Sequence, residues 1–244
     1  MFSQLKLITF DAKDTIIELT KNPGEHYADI ARRHGFQVND QEEQGLANSF
    51  KTAFSNANKH HVCFGRDTGL SLIDWWTLVV TQTFRGANFS QDRIPVKDMN
   101  EIALQAYNEY ATSVCWRVKG DAIPSLEKIR SLRPDITMGV ISNGDDRLDY
   151  LLDQLQLRPL LDFSIDSFTA QLEKPDKRIF DMAIGKSRLP ITDPGSEAIH
   201  VGDDIKQDFE AARNAGWRAL LLDTSNPSNG NPDQIVSLSQ VINL

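Results

Sequence analysis

The sequence predicts an α/β fold, in which a doubly wound parallel sheet is interrupted after its first strand by an all-helical domain. Strand-like and helical segments alternate after Gly120, which is typical of a parallel sheet with helices on both faces. Between Pro23 and Arg117 only helical patterns occur. A chain of 244 residues can hold one such core with an inserted module. We therefore expect residues 1–17 and 118–244 to form the α/β core, and residues 18–117 to form the helical insert.

The first strand and the helices of the insert follow from apolar spacing. Residues 5–10 (LKLITF) are apolar and β-branched, and this run ends at Asp11. In the insert, Leu46, Phe50 and Phe54 recur at four-residue spacing, as one face of a helix requires. The predicted helices of the insert span residues 26–35, 41–60, 70–84 and 99–110.

The second half of the chain supplies the remaining strands and helices of the core. Strands are predicted at 136–142, 163–168, 198–201 and 218–222, and helices at 122–132, 147–155, from 177 onward and 207–215. Residues 224–233 (TSNPSNGNPD) are rich in turn formers and predict an exposed loop. A module inserted after the first strand is expected to hang over the carboxyl ends of the strands, where doubly wound sheets bind ligands.

Composition and charge limit the classes of partner that the protein is expected to bind. The formal net charge is −8 and no block of lysine or arginine stands out, so neither nucleic acid nor an anionic membrane is predicted as a partner. No run of 18 apolar residues occurs, so no membrane span is expected. Cys63 and Cys115 lie far apart, and no targeting segment is recognised, so we expect an intracellular protein, cytoplasmic or nuclear. The oligomeric state stays open.

Four polar stretches follow predicted strands and could carry chemistry. A carboxylate at Asp11 can act as a nucleophile, and Lys174 before a helix suits a phosphate ligand. A hydroxyl at Ser142 can donate a hydrogen bond to an anion, and carboxylates clustered near Asp203 suit Mg²⁺, which takes hard oxygen ligands. The four stretches are residues 11–15, 141–144, 173–175 and 200–204, the last followed by Asp208.

Each stretch alone also has an ordinary structural interpretation. An aspartate after a strand is often a turn or helix-capping residue, which applies to Asp11, Asp203 and Asp204. Ser142-Asn143-Gly144 is typical of a turn, and Lys174-Pro175 of a solvated loop. His200 lies inside an apolar strand, which indicates a buried structural residue. The spacing of His60, His61 and Cys63 matches no zinc pattern, so these residues are interpreted as a loop.

The order of the four stretches carries more information than any one of them. LITFDAKDT, VISNG, LEKPD and HVGDDIKQD resemble the four motifs of the haloacid-dehalogenase-like (HAD) hydrolase superfamily, in the same order and each after a predicted strand. The resemblance covers essentially the whole chain and implies a Rossmann-like core with a helical cap. NPGEHYADIARRHG and DTGLSLIDWWTLVVTQTF resemble the insert of an animal subgroup, haloacid dehalogenase-like hydrolase domain-containing protein 3.

The resemblance implies a role for each matching residue. Asp11 would be the nucleophile, and Lys174 would hold the phosphoryl oxygens and pair with Asp11. Mg²⁺ would be the cofactor, bound by Asp11, by the backbone carbonyl of Lys13 and by Asp203, with Asp208 orienting the metal shell. The phosphoryl group would be bound by Ser142 and by the backbone at Asn143. A cation and a lysine are needed there because a carboxylate that attacks a phosphate dianion meets like-charge repulsion.

Lys13 departs from the phosphatase pattern, which has an acid/base aspartate at this position. In an extended chain Lys13 points to the same side as Asp11, and Asp14 to the other. We therefore expect the Lys13 ammonium within reach of Asp11 or Asp203, where two unit charges ~5 Å apart interact by roughly 3 kcal/mol at an effective dielectric of ~20. Weak Mg²⁺ binding would follow. The metal-independent haloacid dehalogenases also lack this aspartate but do not usually carry lysine there.

Two hypotheses about function follow from these residues. The first is a hydrolase, of the phosphatase type, that acts on a small phosphorylated molecule through an aspartyl-phosphate intermediate, with chemistry weakened or altered by Lys13. The alternative is a catalytically silent protein of the same fold that binds a ligand or regulates a partner. Lys13 favours the second hypothesis. The first is favoured by Asp11, Lys174, Asp203 and Asp208.

Overall fold

The structure is a computed structural model that describes residues 4–224 and 231–243. The chain divides into two compact units. The first comprises residues 1–18 with 117–244, and the second comprises residues 19–116. Each unit has its own buried apolar cluster, as two separately packed cores require.

A six-stranded sheet forms the centre of the first unit. Its strand order is β5-β4-β1-β6-β7-β8, and every neighbouring pair runs parallel. The strands are β1 (Leu7–Phe10), β4 (Thr137–Ser142), β5 (Phe163–Asp166), β6 (Ala198–Gly202), β7 (Arg218–Leu222) and β8 (Gln234–Ile235). All residues of β1 and β6 are buried, which explains why these strands read as continuous apolar runs. The predicted parallel sheet with flanking helices is confirmed.

The helices of the first unit differ from the predicted ones, because two short helices were not predicted and one predicted helix is partly of another type. They are α5 (Ala122–Leu132), α6 (Leu148–Gln154), α7 (Ser167–Ala170), α8 (Arg178–Ser187), α9 (Pro194–Glu197) and α10 (Ala211–Asn214). The predicted strand 163–168 is too long, because Asp166 caps α7 by accepting a hydrogen bond from the Thr169 amide at 2.7 Å. The predicted helix 207–215 is wrong in type, because a π-helix at Ile205–Glu210 precedes α10.

Four α-helices make up most of the second unit. They are α1 (Pro23–Arg33), α2 (Asp40–His60), α3 (Leu72–Gly86) and α4 (Val96–Glu109). Asn39 and Glu42 form a capping box at the start of α2, and Ser71 caps α3. Side chains from all four helices bury one apolar cluster around Tyr27, Leu46 and Phe84. Cys63–Gly65 form a short 3₁₀ turn, in the segment that was interpreted as a loop.

A separate two-stranded sheet was not predicted. It consists of β2 (Ile17–Leu19) and β3 (Trp116–Val118), and the chain passes from one unit to the other within each strand. Three-residue strands of mixed polarity carry too short a pattern to be recognised in a sequence.

Two further observations complete the fold. Among the described residues, no helix combines the length and the apolar character needed to cross a bilayer. Of the turn-rich segment 224–233, which was predicted to be an exposed loop, residues 225–230 lie outside the described part of the chain.

Candidate active site

The candidate site lies where three adjacent central strands end. The strands β4, β1 and β6 are neighbours and run parallel, so their carboxyl ends meet at one edge of the sheet. Asp11 directly follows β1, Ser142 ends β4, and Asp203 directly follows β6. The Asp11 amide donates to the Val201 carbonyl at 2.8 Å, which fixes the start of the loop after β1 against β6.

Lys174 connects two of the carboxylates. Its Nζ lies 2.6 Å from Oδ1 of Asp11 and 2.5 Å from Oδ1 of Asp208, and it donates to the Ile141 carbonyl at 2.8 Å. The ammonium has three hydrogens, so all three are used. The residue is only 2% exposed, and burial by itself would lower the pKa of Lys174, but the two carboxylates outweigh burial and raise that pKa. Lys174 is therefore a fixed positive charge inside the protein.

Asp11 lies in an environment that opposes its negative charge. Burial raises the pKa of Asp11 from 3.8 to about 7, and the carboxylate of Asp208 contributes to the rise, while Lys174 acts in the opposite direction. A carboxylate nucleophile must be ionised to react. Additional positive charge near Asp11 would therefore favour its reactive form.

Asp208 is the most completely hydrogen-bonded carboxylate of the site. Besides Lys174, its oxygens contact Nε2 of His200 at 3.1 Å and the Asp204 amide at 3.0 Å. Burial by itself would raise the pKa of Asp208, but Lys174 and His200 hold it well below its usual range. The position of the Asp208 carboxylate also explains why residue 202 is a glycine, because a Cβ there would lie 2.2 Å from Cγ of Asp208.

Asp11, Asp203 and Asp208 form a cluster that fits a divalent cation. One ligand oxygen from each lies within 4.8 Å of the others. Asp203 is an exposed residue that accepts a hydrogen bond from Thr15 at 3.3 Å. Partial desolvation of its carboxyl group and the charge of Asp208 raise the pKa of Asp203. Three carboxylates and the Lys174 ammonium leave two negative charges, the amount that Mg²⁺ would balance, and carboxylate oxygens are its preferred protein ligands.

Asn143 holds the Lys174 backbone in place. Its Nδ2 donates to the Lys174 carbonyl at 2.8 Å and to Oε1 of Gln207 at 3.0 Å, and its Oδ1 accepts from the Lys174 amide at 2.7 Å. The sequence suggested only a backbone role for Asn143. Its side chain instead connects the loop after β4 to the loop that carries Lys174. Ser142, beside it, is 6% exposed at the end of β4.

In the described part of the chain Lys13 forms no ion pair with Asp11 or Asp203, although its charge still acts on the pKa of Asp203. Its ammonium forms an ion pair with the carboxylate of Asp14, and its side chain is 56% exposed. The expectation of a contact with Asp11 or Asp203 assumed an extended chain, but the backbone turns after Asp11. Asp14 has φ of 61°, and its amide donates to the Ile17 carbonyl at 2.7 Å. Asp14 and Lys13 act on the pKa of Asp203 in opposite directions, so their charges partly cancel there.

Two parts of the site were missed in the sequence. His200 was interpreted as structural, yet its ring contacts the carboxylate of Asp208, and burial lowers the pKa of His200 although Asp208 opposes this. The side-chain contacts of Asn143 span 31 residues to Lys174, a separation at which no local pattern gives a signal. Within the described residues, Asp11, Asp203 and Asp208 are the group of three side chains suited to a metal, so His60, His61 and Cys63 form none.

Replacing Lys174 with methionine is expected to destabilise the protein strongly. The change leaves the carboxylates of Asp11 and Asp208 buried without their cation, and breaking a buried ion pair in this way costs about 3–5 kcal/mol. The loss should be smaller at pH 5 than at pH 7, because burial already favours the protonated form of Asp11. Urea unfolding at both pH values measures it. Lys186→Met, at an exposed position, is the matched control and should change stability by less than about 0.5 kcal/mol. An equal effect of the two substitutions would contradict this account of Lys174.

Comparison with known proteins identifies relatives along most of the chain. A family model described as haloacid dehalogenase-like hydrolase matches residues 5–216. The Rhythmically expressed gene 2 protein of Drosophila melanogaster is 34% identical over 224 residues, which are 90% of this chain and 84% of that protein. Human haloacid dehalogenase-like hydrolase domain-containing protein 3 is 36% identical over 219 residues, which are 90% of this chain and 82% of that protein. The resemblance to this subgroup is confirmed.

Solved structures of similar fold include several hydrolases of this type. YfnB, a HAD-hydrolase of Bacillus subtilis bound to magnesium, has a TM-score of 0.69 at 14% identity and covers 99% of this chain and 100% of its own. A 2-haloacid dehalogenase of Pseudomonas syringae has a TM-score of 0.62, and a HAD phosphatase of Thermococcus onnurineus has 0.59. Each is 21% identical and covers 97% of this chain and 96% of its own. At these identities the likeness concerns the fold. The chain belongs to the haloacid dehalogenase-like hydrolase family.

Proposed function

We propose that the protein is a phosphatase that acts on a small phosphorylated molecule through an aspartyl-phosphate intermediate at Asp11. The observation that carries the proposal is the buried contact of Lys174 with Asp11 and Asp208, beside the exposed carboxylate of Asp203. An ion-paired carboxylate next to a site for a divalent cation suits attack on a phosphate.

In this proposal an oxygen of Asp11 attacks the phosphorus atom, and the bond between phosphorus and the leaving oxygen breaks. The leaving oxygen then takes up a proton from the Lys13 ammonium or from solvent, and the water that attacks in the next step returns one. Water next attacks the phosphorus of the aspartyl phosphate, which releases inorganic phosphate and restores the carboxylate of Asp11. Asp11, Asp203, Asp208 and the carbonyl of Lys13 would hold Mg²⁺, which would neutralise phosphate charge and fix the oxygens in line. Lys174 keeps Asp11 oriented, and Ser142 and Asn143 would bind the phosphoryl group.

Lys13 is the reason to expect slow phosphatase turnover. An ammonium is a weaker acid than a carboxyl group and gives a proton to the leaving oxygen less readily, and until it has done so it has no lone pair with which to activate water. Because Lys13 is paired with Asp14, its charge opposes Mg²⁺ less than an unpaired lysine would. We therefore propose slow turnover together with measurable Mg²⁺ binding. The helical unit, residues 19–116, is proposed to be the cap that selects the substrate.

The alternative is a catalytically silent binding or regulatory protein that uses the same site. Lys13 is the observation that favours it, since the position that supplies acid/base catalysis in phosphatases of this family holds no carboxylate. Such a protein would still bind phosphate or a phosphorylated ligand beside Lys174. It would form no covalent intermediate.

The two proposals differ in turnover of phosphorylated metabolites. We expect slow release of inorganic phosphate from one or more members of a metabolite panel, dependent on Mg²⁺ and absent in Asp11→Asn. EDTA should abolish the release, and added Mg²⁺ should restore it. Binding of a phosphorylated compound in calorimetry, with no phosphate release from any member, would support the silent protein instead. Release that is unchanged by EDTA would contradict the role proposed for the carboxylate cluster.

A further inference from the structure

We infer that His200 is a positioning residue of the candidate site: its buried imidazole orients Asp208 and, through Asp208, the ammonium of Lys174. The effect on catalysis rests on the proposed function, whereas the positioning itself rests on contacts in the core. The sequence indicates only a buried structural residue inside an apolar strand at this position, although a predicted site begins just after it.

The contacts form one continuous buried path. Thr9 and His200 are register partners on β1 and β6, and Oγ1 of Thr9 lies 2.8 Å from Nδ1 of the ring. Nε2 of the ring lies 3.1 Å from Oδ1 of Asp208, the same oxygen that accepts from Lys174 at 2.5 Å. Lys174 then reaches Asp11 at 2.6 Å. Thr9 and His200 are fully buried, so water does not replace a missing partner on this path.

The direction of each hydrogen bond follows from the chemistry of the groups. An ionised carboxylate only accepts hydrogen bonds, so Nε2 of His200 must donate to Asp208. In the neutral ring Nδ1 is then unprotonated and accepts from the hydroxyl of Thr9. Asp208 therefore fixes the tautomer, and the hydroxyl of Thr9 stabilises it by donating to Nδ1. The ring of Phe180 packs edge-on against His200, with ring centroids 5.4 Å apart, and limits its movement.

The Asp208 carboxylate has few other hydrogen-bond partners, so the loss of one donor is expected to change its orientation. Its other oxygen accepts from the Asp204 amide, and Gly202 leaves just enough space for the carboxylate. Without the donor from His200, Oδ1 would be held by Lys174 alone, and the buried carboxylate could rotate. Partners of this kind, one contact removed from a metal or substrate, typically change affinity or activity by about 10–100-fold when they are lost.

Four variants test the inference. His200→Phe keeps a ring of similar size and removes both nitrogens. His200→Gln keeps a donor and an acceptor. Thr9→Val keeps the volume and removes the hydroxyl that donates to Nδ1 of His200. Ile199→Ala is the matched control. Ile199 is fully buried and directly precedes His200 on β6, so its side chain points to the opposite face of the sheet. The substitution therefore opens a cavity in the core on the side of the sheet away from the His200 ring.

The decisive measurements are Mg²⁺ titration calorimetry, steady-state aryl-phosphate turnover and the ¹⁵N-edited spectrum of lysine ammonium groups. For His200→Phe we expect kcat and Mg²⁺ affinity to fall by about 10–100-fold, with KM little changed, and the Lys174 signal to broaden. His200→Gln should recover most of each loss, and Thr9→Val should lie between them. Ile199→Ala should lower Tm and leave kcat, KM, Mg²⁺ affinity and the Lys174 signal unchanged.

Losses in His200→Phe that match those in Ile199→Ala, or a failure of His200→Gln to recover them, would overturn the inference. If His200→Phe does not fold, the comparison of His200→Gln with Thr9→Val decides it, because a positioning role requires Thr9→Val to be the weaker of the two. A native protein that neither binds Mg²⁺ nor hydrolyses phosphate would refute the proposed function. The Lys174 signal in the four variants would then decide the role of His200 independently.

Discussion

Asp11→Asn is expected to abolish phosphate release, with a loss of at least about 10³-fold in kcat, as removal of a covalent nucleophile generally causes. The amide keeps an oxygen that can accept from Lys174, so the hydrogen bond at this position is conserved. It carries no negative charge and forms no stable bond to phosphorus. Mass spectrometry of acid-quenched turnover mixtures should detect a phosphoryl adduct on the native protein and none on the variant. If Asp11→Asn keeps a tenth of the native rate, Asp11 is not the nucleophile.

The same substitution is expected to stabilise the metal-free protein at neutral pH. Burial raises the pKa of Asp11 to about 7, above the value of 3.8 for an exposed carboxyl, so the folded state binds this proton more tightly than the unfolded state. Stability is therefore lost as the pH rises from about 4 to about 7, by about 4 kcal/mol at most. Asparagine has no such dependence. The Tm difference between Asp11→Asn and the native protein should grow across this pH range and shrink when Mg²⁺ is added. A difference independent of pH would contradict the raised pKa.

Lys13→Asp is expected to raise aryl-phosphate turnover by about 10²–10⁴-fold, the usual contribution of general acid/base catalysis. The substitution supplies a carboxylate that can protonate the leaving oxygen and then activate water. It also removes a cation and adds an anion near Asp203, so Mg²⁺ should bind more tightly. Steady-state kinetics and calorimetric Mg²⁺ titration of both proteins measure the two effects.

Lys13→Met separates the effect of charge from that of catalysis. It removes the cation without supplying an acid, so we expect tighter Mg²⁺ binding with no comparable gain in kcat. Because the Lys13–Asp14 pair is exposed, its loss should change the free energy of unfolding by less than about 1 kcal/mol. If the native protein turns over quickly and Lys13→Asp is slower, Lys13 is itself a working catalytic group. If neither protein releases phosphate while both remain folded, the silent binding protein is supported.

The fold could be predicted because its strands are buried on both faces. LITF in β1 and AIHVG in β6 are continuous apolar runs, and polar residues begin where each strand ends. The topology of a parallel sheet then brings such ends together, which is why Asp11 and Asp203 could be expected near each other before any distance was known. The strands β2 and β3 are short and only partly buried, and they gave no comparable pattern.

The details of the site could not be predicted in the same way. The direction of the Lys13 side chain depends on the bend of the backbone directly after Asp11, and a rule based on alternation in an extended chain cannot include such a bend. The contacts of Asn143 with Lys174 and of Thr9 with His200 join residues 31 and 191 positions apart. Such pairs exist only once the sheet has formed. Their residue types, taken singly, are also common in turns and cores.

The π-helix at Ile205–Glu210 has a consequence for how the protein divides stability between fold and function. A π-turn contains more residues than an α-turn, and isolated π-turns are rare and occur frequently at functional sites. The extra length lets Asp208 face Gly202 and Lys174 at the end of β6. Removing one residue from this segment would let it relax into an ordinary helix and would rotate the following side chains by about 100°. We therefore expect engineering that regularises this helix to raise thermal resistance and to displace the Asp208 carboxylate from Lys174.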